Sequence, residues 1–274
     1  AEHKSHLHIK RDDLLHPIIS GNKWRKLKYT LLHALNKEHQ HLISMGGAYS
    51  NHLHALAYVG HKLKLKTTGL IRGEQPKKDN QTLSDLRQWG MELEFVSRGA
   101  FRELRKYRNY DSEPAKKYDG FWIPEGGASH EALPGVGEIL KEIDMDFDTL
   151  TLACGTGTTL AGIAKALPGT KKVLGFSALK GGGFLEKDIK KLLHTKGMPN
   201  WSVNFDYHFG GFAKSTDELI SFMNEFQSHN NIPLEPLYNG KMLFGLFDLI
   251  KNNRFKKGHN IIAIHTGGLQ GNRE

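Results

Sequence analysis

The first group in this chain that could do chemistry is the side-chain amine of Lys23. The residues just before it, Ser20, Gly21 and Asn22, are typical of turns and of helix starts. Five apolar residues then recur at helical spacing: Trp24, Leu27, Leu31, Leu32 and Leu35. Backbone dipoles and nearby cations at a helix start favour a neutral amine, which can act as a nucleophile or form a Schiff base. From this segment alone, a solvated surface lysine is the alternative.

A second segment, Gly155-Thr156-Gly157-Thr158-Thr159, follows an apolar, β-branched run and precedes a predicted helix. Glycines let the backbone approach an anion, and amides and hydroxyls at a helix N-terminus can bind a phosphate. The segment lacks both the Gly-Lys-Ser/Thr of a Walker loop and the Gly-x-Gly-x-x-Gly of dinucleotide folds. It therefore predicts a site for a single phosphate monoester, with a tight strand-to-helix turn as the alternative.

Four more polar residues stand at a predicted strand end or helix start. The hydroxyl of Ser50 could bind a carboxylate or assist proton transfer, and the amide of Asn51 could hydrogen-bond a phenolate oxygen. A simple helix cap is the alternative there. Tyr238 is either a turn residue or an acid/base, and Thr266 could bring a hydroxyl to a ring. In open α/β sheets, ligands gather at the carboxyl ends of strands, so the convergence of these positions predicts one site.

The elements that must position these groups alternate between strand and helix along the chain. Strands are predicted at residues 6–10, 41–45, 66–71, 92–96, 149–154, 172–176 and 260–265. Single helices are predicted at 101–117 and 133–143. Residues 201–213 form a polar-aromatic segment in which neither a helix nor a strand is predicted. The fold class is α/β, with two domains, each an open, mostly parallel twisted sheet flanked by helices.

Composition favours an ordinary globular protein. The formal charge is +9, but the basic residues are scattered and form no tail, which disfavours a nucleic-acid partner. A non-catalytic basic binding protein stays open as a remote alternative. The single cysteine, Cys154, excludes an intrachain disulfide and suits a reducing, cytoplasmic location. We expect no membrane segment, no signal peptide and no metal site, because the histidine pairs lack ligand partners at metal-site spacing.

The ordered motifs resemble those of one known family. They are Ser20-Gly21-Asn22-Lys23, Gly46-Gly47 with Ser50-Asn51-His52, Ile123-Pro124 with Gly126-Gly127, residues 155–159, Pro236 with Tyr238-Asn239-Gly240-Lys241, and His265-Thr266-Gly267-Gly268. Together they are similar to the 1-aminocyclopropane-1-carboxylate deaminase/D-cysteine desulfhydrase family of pyridoxal-phosphate enzymes. The resemblance implies the tryptophan-synthase-β-like fold, fold type II, and covers about residues 8–270.

The resemblance also implies roles for individual residues. Lys23 resembles the lysine that attaches covalently to pyridoxal 5′-phosphate, and Asn51 the residue that hydrogen-bonds the cofactor's ring oxygen. Thr266 resembles the threonine near the pyridine nitrogen. The phosphate cup is expected at Gly155, Thr156, Gly157, Thr158 and Thr159. The expected catalytic residues are Lys23, Ser50 and Tyr238, and the expected substrate-binding residues are Ser50, Asn51, His52 and Tyr238.

The implied reaction is loss of a β-substituent followed by deamination of a small amino acid. Three departures from the deaminase branch, Asn239 in place of glutamate, His52 in place of glutamine, and Thr266, favour a D-cysteine-like substrate that yields pyruvate, sulfide and ammonia. The alternative is deamination of 1-aminocyclopropane-1-carboxylate to 2-oxobutanoate and ammonia. A retained fold that binds the cofactor without turnover is also possible.

The resemblance further implies a large cofactor-binding domain formed by residues 1–36 and 128–274 and a small domain formed by residues 37–127. It implies a homodimer whose partners are small amino-acid substrates, with no nucleic acid and no membrane. The chain begins close to its first predicted strand, so we expect the family's N-terminal segment to be short here, with consequences for the dimer contact or the site entrance.

Overall fold

The structure, a computed structural model, describes residues 5–19, 21–195 and 200–273. Ser20, the first residue of the predicted loop before Lys23, lies outside these ranges. The chain forms two compact units. The larger unit comprises Ala1–Leu14 and Val136–Leu269, and the smaller unit comprises Leu15–Gly135 and Gln270–Glu274.

Nine strands occur in the described part of the chain, and all of them pair in parallel. In chain order they are β1 (His6–Arg11), β2 (His41–Gly46), β3 (Lys66–Arg72), β4 (Met91–Val96), β5 (Phe121–Ile123), β6 (Thr149–Cys154), β7 (Lys172–Ser177), β8 (Trp201–Asn204) and β9 (Asn260–His265). The larger unit contains the five-stranded sheet β1-β9-β6-β7-β8, and the smaller unit the four-stranded sheet β4-β3-β2-β5. Two helix-flanked parallel sheets confirm the predicted fold class.

Ten α-helices cover these sheets in the described residues. They are α1 (Asn22–Asn36), α2 (Asn51–Leu63), α3 (Gln81–Gln88), α4 (Arg98–Leu104), α5 (Glu113–Tyr118), α6 (Ala132–Gly137), α7 (Thr158–Ala166), α8 (Phe184–Leu193), α9 (Asp217–Asn230) and α10 (Asn239–Lys251). None of the helices in the described ranges is long and apolar enough to cross a bilayer. Within the same ranges, no three metal-ligating side chains cluster.

Strand β6 shows why the predictions of individual strands succeed. Its six residues are all buried, and it pairs with β7 on one side and β9 on the other. A strand covered on both faces carries an unbroken run of apolar and β-branched residues, which is readable in sequence. The predicted bounds of β6 and β9, 149–154 and 260–265, are confirmed.

The predicted helix 101–117 is wrong, because the structure contains α4 and α5 with a break between them. Ser97 starts α4 by accepting a hydrogen bond from the Ala100 amide at 3.2 Å. Pro114 lies in the first turn of α5, where its missing N–H costs no helical hydrogen bond. Placed deep inside one long helix, the same proline would break it, so the chain makes two short helices instead.

Two smaller differences also concern element bounds. The predicted helix 133–143 divides into α6 and a 3-10 turn at Glu138–Glu142. The polar-aromatic segment 201–213 begins with β8, an edge strand of four residues in which only Trp201 is fully buried. Its pairing with β7 is a backbone interaction, and that interaction leaves little pattern in the side chains.

Helix α1 packs in the smaller unit, whereas the predicted domain division placed it in the large domain. Its buried residues Leu27, Leu31 and Ala34 belong to the same apolar cluster as Leu42 of β2 and Leu53 of α2. This shared core is the reason that the unit boundary falls before the helix. The predicted division into a large cofactor-binding domain, residues 1–36 and 128–274, and a small domain, residues 37–127, stays a prediction.

The core of the larger unit predicts a clear difference between two neighbouring residues of α10. Leu246 is fully buried in a cluster with Ile261 and Ala263 of β9, while Phe247 is 40% exposed. We expect Leu246→Ala to lower the free energy of unfolding by about 2–5 kcal/mol, because it removes packed methyl groups and leaves a cavity. Phe247→Ala should cost clearly less. Denaturant unfolding followed by circular dichroism measures both, and equal losses would contradict the described face of α10.

Candidate functional site

Lys23 lies in the first turn of α1, which begins at Asn22. Gly21 precedes the helix with φ 63° and ψ −142°, a conformation that glycine adopts without steric cost. This confirms the predicted glycine corner and helix start. The charge of Lys23 acts on His52 of α2. Burial is the main cause that lowers the pKa of His52 well below its ordinary value, and the charges of Lys23 and Lys26 lower it further.

Ser50 begins α2 as its N-cap, and its Oγ accepts a hydrogen bond from the Leu53 amide at 3.2 Å. Gly46 at the end of β2 leaves room for this hydroxyl, since a Cβ there would lie 2.5 Å from Ser50 Oγ. The capping interpretation of Ser50 is thereby confirmed. The cap uses a lone pair of the hydroxyl oxygen, so the proton of the same group is not consumed by capping.

The buried imidazole of His52 has a defined tautomer. Ser44 donates its hydroxyl proton to the Ile123 carbonyl at 2.7 Å, so the hydrogen bond of 2.9 Å between Ser44 Oγ and His52 Nε2 must come from Nε2–H. Nδ1 is then an unprotonated acceptor, and it has no hydrogen-bond partner among the described residues. A Cβ at Gly127 would lie 3.6 Å from it. The backbone of Gly127 therefore packs close to this buried nitrogen.

Asn51 is oriented by a residue from the C-terminal segment. Gln270 Nε2 donates to Asn51 Oδ1 at 2.8 Å and approaches the Tyr49 carbonyl at 3.4 Å. Gln270 Oε1 accepts from the Thr82 hydroxyl at 2.9 Å and from the Arg273 guanidinium at 3.4 Å. Because a carbonyl can only accept and a guanidinium can only donate, the Tyr49 carbonyl and Arg273 fix the direction of the glutamine amide. Because Oδ1 is the occupied end of Asn51, its Nδ2 is the end left to donate to a ligand.

The loop at Gly155–Thr159 connects β6 to α7 in the larger unit. Gly157 is the residue before the helix, with φ 75°, and no side chain caps the helix from this position. The hydroxyls of Thr156 and Thr158 lie 3.0 Å apart and hydrogen-bond each other. A helix N-terminus without a capping side chain, flanked by glycines and hydroxyls, is the arrangement that binds phosphate groups.

Tyr238 lies directly against this loop. A Cβ on Gly155 would stand 3.1 Å from Cε1 of the tyrosine ring and 3.4 Å from its hydroxyl oxygen. The ring of Phe212 meets Tyr238 edge-on, with centroids 5.8 Å apart. The fold of the larger unit thus brings together Gly155 and Tyr238, two predicted site residues that are distant in sequence, and a side chain at position 155 would crowd the tyrosine ring.

Asn239 and Thr266 are also joined, at the ends of α10 and β9. Asn239 Oδ1 accepts from the Thr266 amide at 3.0 Å and from its hydroxyl at 3.2 Å. Asn239 Nδ2 donates to the Gly267 carbonyl at 2.8 Å and to Glu235 at 3.0 Å. Every hydrogen-bonding atom of this side-chain amide is therefore engaged, and Asn239 is fully buried.

Glu235 is a buried carboxylate that holds the start of α10. Its oxygens accept hydrogen bonds from the amides of Leu237, Tyr238 and Asn239, at distances between 2.6 and 3.1 Å, and from the Asn239 side chain. Burial raises the pKa of Glu235 to about 7, and the hydrogen bonds from Asn239, Tyr238 and Leu237 oppose that rise. Because all these partners are donors, they match the ionised carboxylate.

Neither Glu235 nor Gln270 is among the site residues predicted from the sequence. A carboxylate just before a helix start is a recognisable capping signal, and it could have drawn attention to Glu235. Its burial and its link to Thr266 depend on the return of β9 beside α10. No local signal marks Gln270, because its partners Asn51 and Thr82 lie far away in the chain.

Comparison with known proteins gives one consistent result. Residues 1–267 match the family described as pyridoxal-phosphate dependent enzyme. The chain is 33% identical over 281 residues to a putative 1-aminocyclopropane-1-carboxylate deaminase of Pyrococcus horikoshii, covering 97% of this chain and 85% of the relative. It is 30% identical over 295 residues to the mitochondrial bifunctional D-cysteine desulfhydrase/1-aminocyclopropane-1-carboxylate deaminase of Arabidopsis thaliana, covering 97% and 73%. A crystal structure of an ACC deaminase homologue superposes with TM-score 0.79 and 32% identity, covering 97% and 85%.

The described residues fit the cofactor of that family. The start of α7 offers backbone amides for a phosphate, with no capping side chain from Gly157 in competition. Beside it, a Cβ at Gly155 would press on the ring of Tyr238, so the bare backbone keeps this space open. In the smaller unit, the occupied Oδ1 of Asn51 leaves Nδ2 as a donor for a ring oxygen.

The raised pKa of Glu235 predicts a pH-dependent stability. The folded protein binds this proton more tightly than the unfolded chain, whose glutamate has the ordinary value of 4.5 against about 7 in the fold. The stabilisation is complete below about pH 4.5 and is lost as the pH rises through about 7, a change of about 3 kcal/mol in the free energy of unfolding.

The variant Glu235→Gln isolates this contribution, because a glutamine at position 235 does not titrate. We expect the free energy of unfolding of the wild type, minus that of the variant, to fall by about 3 kcal/mol across this pH interval. Urea unfolding at a series of pH values measures the difference. A constant difference, whatever its size, would show that folding does not shift the protonation of Glu235.

Proposed function

Because this chain belongs to the family of pyridoxal-phosphate dependent enzymes, we propose that it removes the β-substituent of a small amino acid and deaminates the remainder. The proposed substrate is D-cysteine or a close analogue, which with water yields pyruvate, sulfide and ammonia. The observation that carries this choice is the hydrogen bond from Thr266 to Asn239, which puts a neutral pair where the deaminase branch is expected to carry a glutamate. The name of the Arabidopsis relative, which includes D-cysteine desulfhydrase, supports it.

Pyridoxal phosphate, when bound, supplies an electron sink for the carbanion that forms at the substrate Cα. In this proposal Lys23 attaches the cofactor covalently through Nζ. The backbone amides at Gly155–Thr159 bind its phosphate at the start of α7. Asn51 donates from Nδ2 to the ring oxygen, because its Oδ1 is occupied by Gln270. Thr266 presents its hydroxyl oxygen to the ring nitrogen.

Three side chains are proposed to handle the substrate and its protons. The substrate amine would first displace Lys23 Nζ from the cofactor, and the freed Nζ would then take the proton from Cα, after which the β-carbon–sulfur bond breaks and hydrosulfide leaves. The Tyr238 hydroxyl, which lies beside Gly155, donates a proton to the leaving sulfur. The Ser50 hydroxyl, whose proton is not consumed by its capping bond, binds the substrate carboxylate. Water then releases ammonia and the 2-oxo acid.

His52 is proposed to be a structural residue of the site. Its imidazole is buried, and its Nε2–H is committed to Ser44. We assign it to hold the start of α2, and with it Ser50 and Asn51, in place. Direct contact of His52 with the substrate, as the sequence suggests, stays a prediction.

The second candidate reaction is deamination of 1-aminocyclopropane-1-carboxylate to 2-oxobutanoate and ammonia. The name of the Pyrococcus horikoshii relative favours it. The neutral side chain of Asn239, whose hydrogen-bonding atoms are all engaged, makes it the second choice. A carboxylate in that position would stabilise a protonated ring nitrogen more strongly than a neutral amide does.

The proposal also includes the assembly of the protein and its location in the cell. We propose a homodimer. It is supported by large apolar side chains that helix α1 leaves exposed and that could contact a second copy of the chain: Trp24, Leu32 and Leu35. We propose a cytoplasmic location, which is supported by the presence of only one cysteine in the sequence, the buried Cys154. Light scattering on the purified protein tests the dimer.

The covalent role of Lys23 predicts a spectroscopic loss. Wild-type protein mixed with pyridoxal phosphate should absorb near ~410–430 nm, and Lys23→Ala should lose that band because no amine is left at this position. Lys28→Ala, which removes another lysine of the same helix, is the matched control and should keep the band. A band that persists in Lys23→Ala would assign the covalent attachment to another lysine.

The substrate proposal is tested by a panel of D- and L-amino acids incubated with the cofactor-loaded protein. We expect D-cysteine to release sulfide and pyruvate in equal amounts. The Lys23→Ala variant should be slower by at least about 100-fold, the usual scale of a lost acid/base group. Release of 2-oxobutanoate from 1-aminocyclopropane-1-carboxylate, without sulfide from D-cysteine, would favour the second candidate instead.

A further inference from the structure

The side-chain amide of Asn239 has only one possible orientation. Its Nδ2 donates to the backbone carbonyl of Gly267, and its Oδ1 accepts from the backbone amide of Thr266. Backbone groups cannot exchange donor and acceptor roles, so a flipped amide would place two donors, and also two acceptors, face to face. Glu235 Oε1 accepts the second Nδ2 proton and reinforces the same orientation.

This orientation fixes the polarity of the Thr266 hydroxyl. Asn239 Oδ1 can only accept, so the Thr266 hydroxyl donates its single proton to it, at 3.2 Å. The remaining lone pairs of Thr266 Oγ1 can only accept a hydrogen bond. As long as this hydrogen bond is kept, a ligand group that meets the oxygen must bring a proton of its own.

We infer that Glu235, acting through Asn239, keeps Thr266 Oγ1 as a hydrogen-bond acceptor toward the ring nitrogen of the cofactor and thereby holds that nitrogen protonated. The inference rests on the proposed function, which sets Thr266 against this nitrogen. Glu235 is a positioning residue, since two hydrogen bonds separate its carboxylate from Thr266 Oγ1. A neutral threonine thus acquires part of the effect of a carboxylate, because each hydrogen bond in such a chain polarises the next.

Other ionisable groups near this chain of hydrogen bonds leave its polarity unchanged. Lys241 Nζ donates to the carbonyls of His208 and Gly211, so it acts on Glu235 only through its charge. His265 Nδ1 accepts from the Gly267 amide, and its Nε2 is bonded to the Pro233 carbonyl. The imidazole therefore holds the backbone of the loop after β9 without bonding to Asn239, Glu235 or the Thr266 hydroxyl.

The experiment uses the whole protein loaded with pyridoxal phosphate carrying nitrogen-15 in its ring. The nitrogen chemical shift reports the protonation of the ring without any turnover. It is recorded at about pH 8, where Glu235, with a pKa of about 7, is ionised. We expect a protonated ring nitrogen in the wild type, and in Asn239→Leu a shift of the protonation equilibrium by about tenfold toward the unprotonated ring.

Asn239→Leu is the primary variant because Glu235 keeps its three backbone donors, and with them the start of α10. Glu235→Gln should shift the ring signal in the same direction. In a Thr266→Val background, Asn239→Leu should have no further effect, which a merely structural role would not produce. Asn252→Leu, an asparagine at the other end of α10, is the control and should leave the signal unchanged.

An unprotonated ring nitrogen in the wild type, or an unchanged signal in a folded Asn239→Leu variant, would overturn the inference. So would an equal effect of Asn239→Leu with and without the Thr266 hydroxyl. Failure of the wild type to bind the labelled cofactor at all would instead overturn the proposed function, and the inference with it. The two failures are distinguishable because cofactor absorbance is measured on the same sample.

Discussion

Burial of the Glu235 carboxylate constrains the polar groups around the start of α10. A charge removed from water is tolerated only when donors surround it, and the chain supplies them from Leu237, Tyr238 and Asn239. Satisfying this charge fixes the backbone that carries Tyr238. It also directs the Asn239 side chain toward Thr266. One buried charge thus sets the conformation of three residues assigned to the site.

The same physical principle recurs in both units: a backbone group of fixed polarity decides the direction of a side chain that could otherwise turn. The Ile123 carbonyl fixes the Ser44 hydroxyl and, through it, the tautomer of His52. The Tyr49 carbonyl, which can only accept, fixes Gln270 and, through it, Asn51. Hydrogen-bond donors and acceptors for a ligand are therefore set before the ligand arrives, which reduces the entropy lost on binding.

Glycine has a different function in these sites, because it leaves space for a neighbouring side chain. Gly46 leaves room for the Ser50 hydroxyl, and Gly155 for the ring of Tyr238. Gly127 keeps its backbone close to His52, and Gly157 turns the chain into α7 with a positive φ. These positions follow strand ends in parallel sheets, where connections must turn sharply into a helix and where polar groups for ligands accumulate.

The sequence alone determined the strand and helix periodicity, the bounds of β6 and β9, the start of α1, and the residue types of both glycine loops. These features depend on local conformational preference and on burial, and both leave a pattern in neighbouring residues. The break between α4 and α5 also has a local cause, Pro114, although the periodicity predicted one helix. Only the tertiary structure decided the edge strand β8 and the packing of α1 in the smaller unit. It also decided the link from Glu235 through Asn239 to Thr266 and the one from Gln270 to Asn51. The bonds from Thr266 to Asn239 and from Gln270 to Asn51 join segments that are remote in sequence, and no local preference encodes which donor will meet which acceptor once the chain has folded.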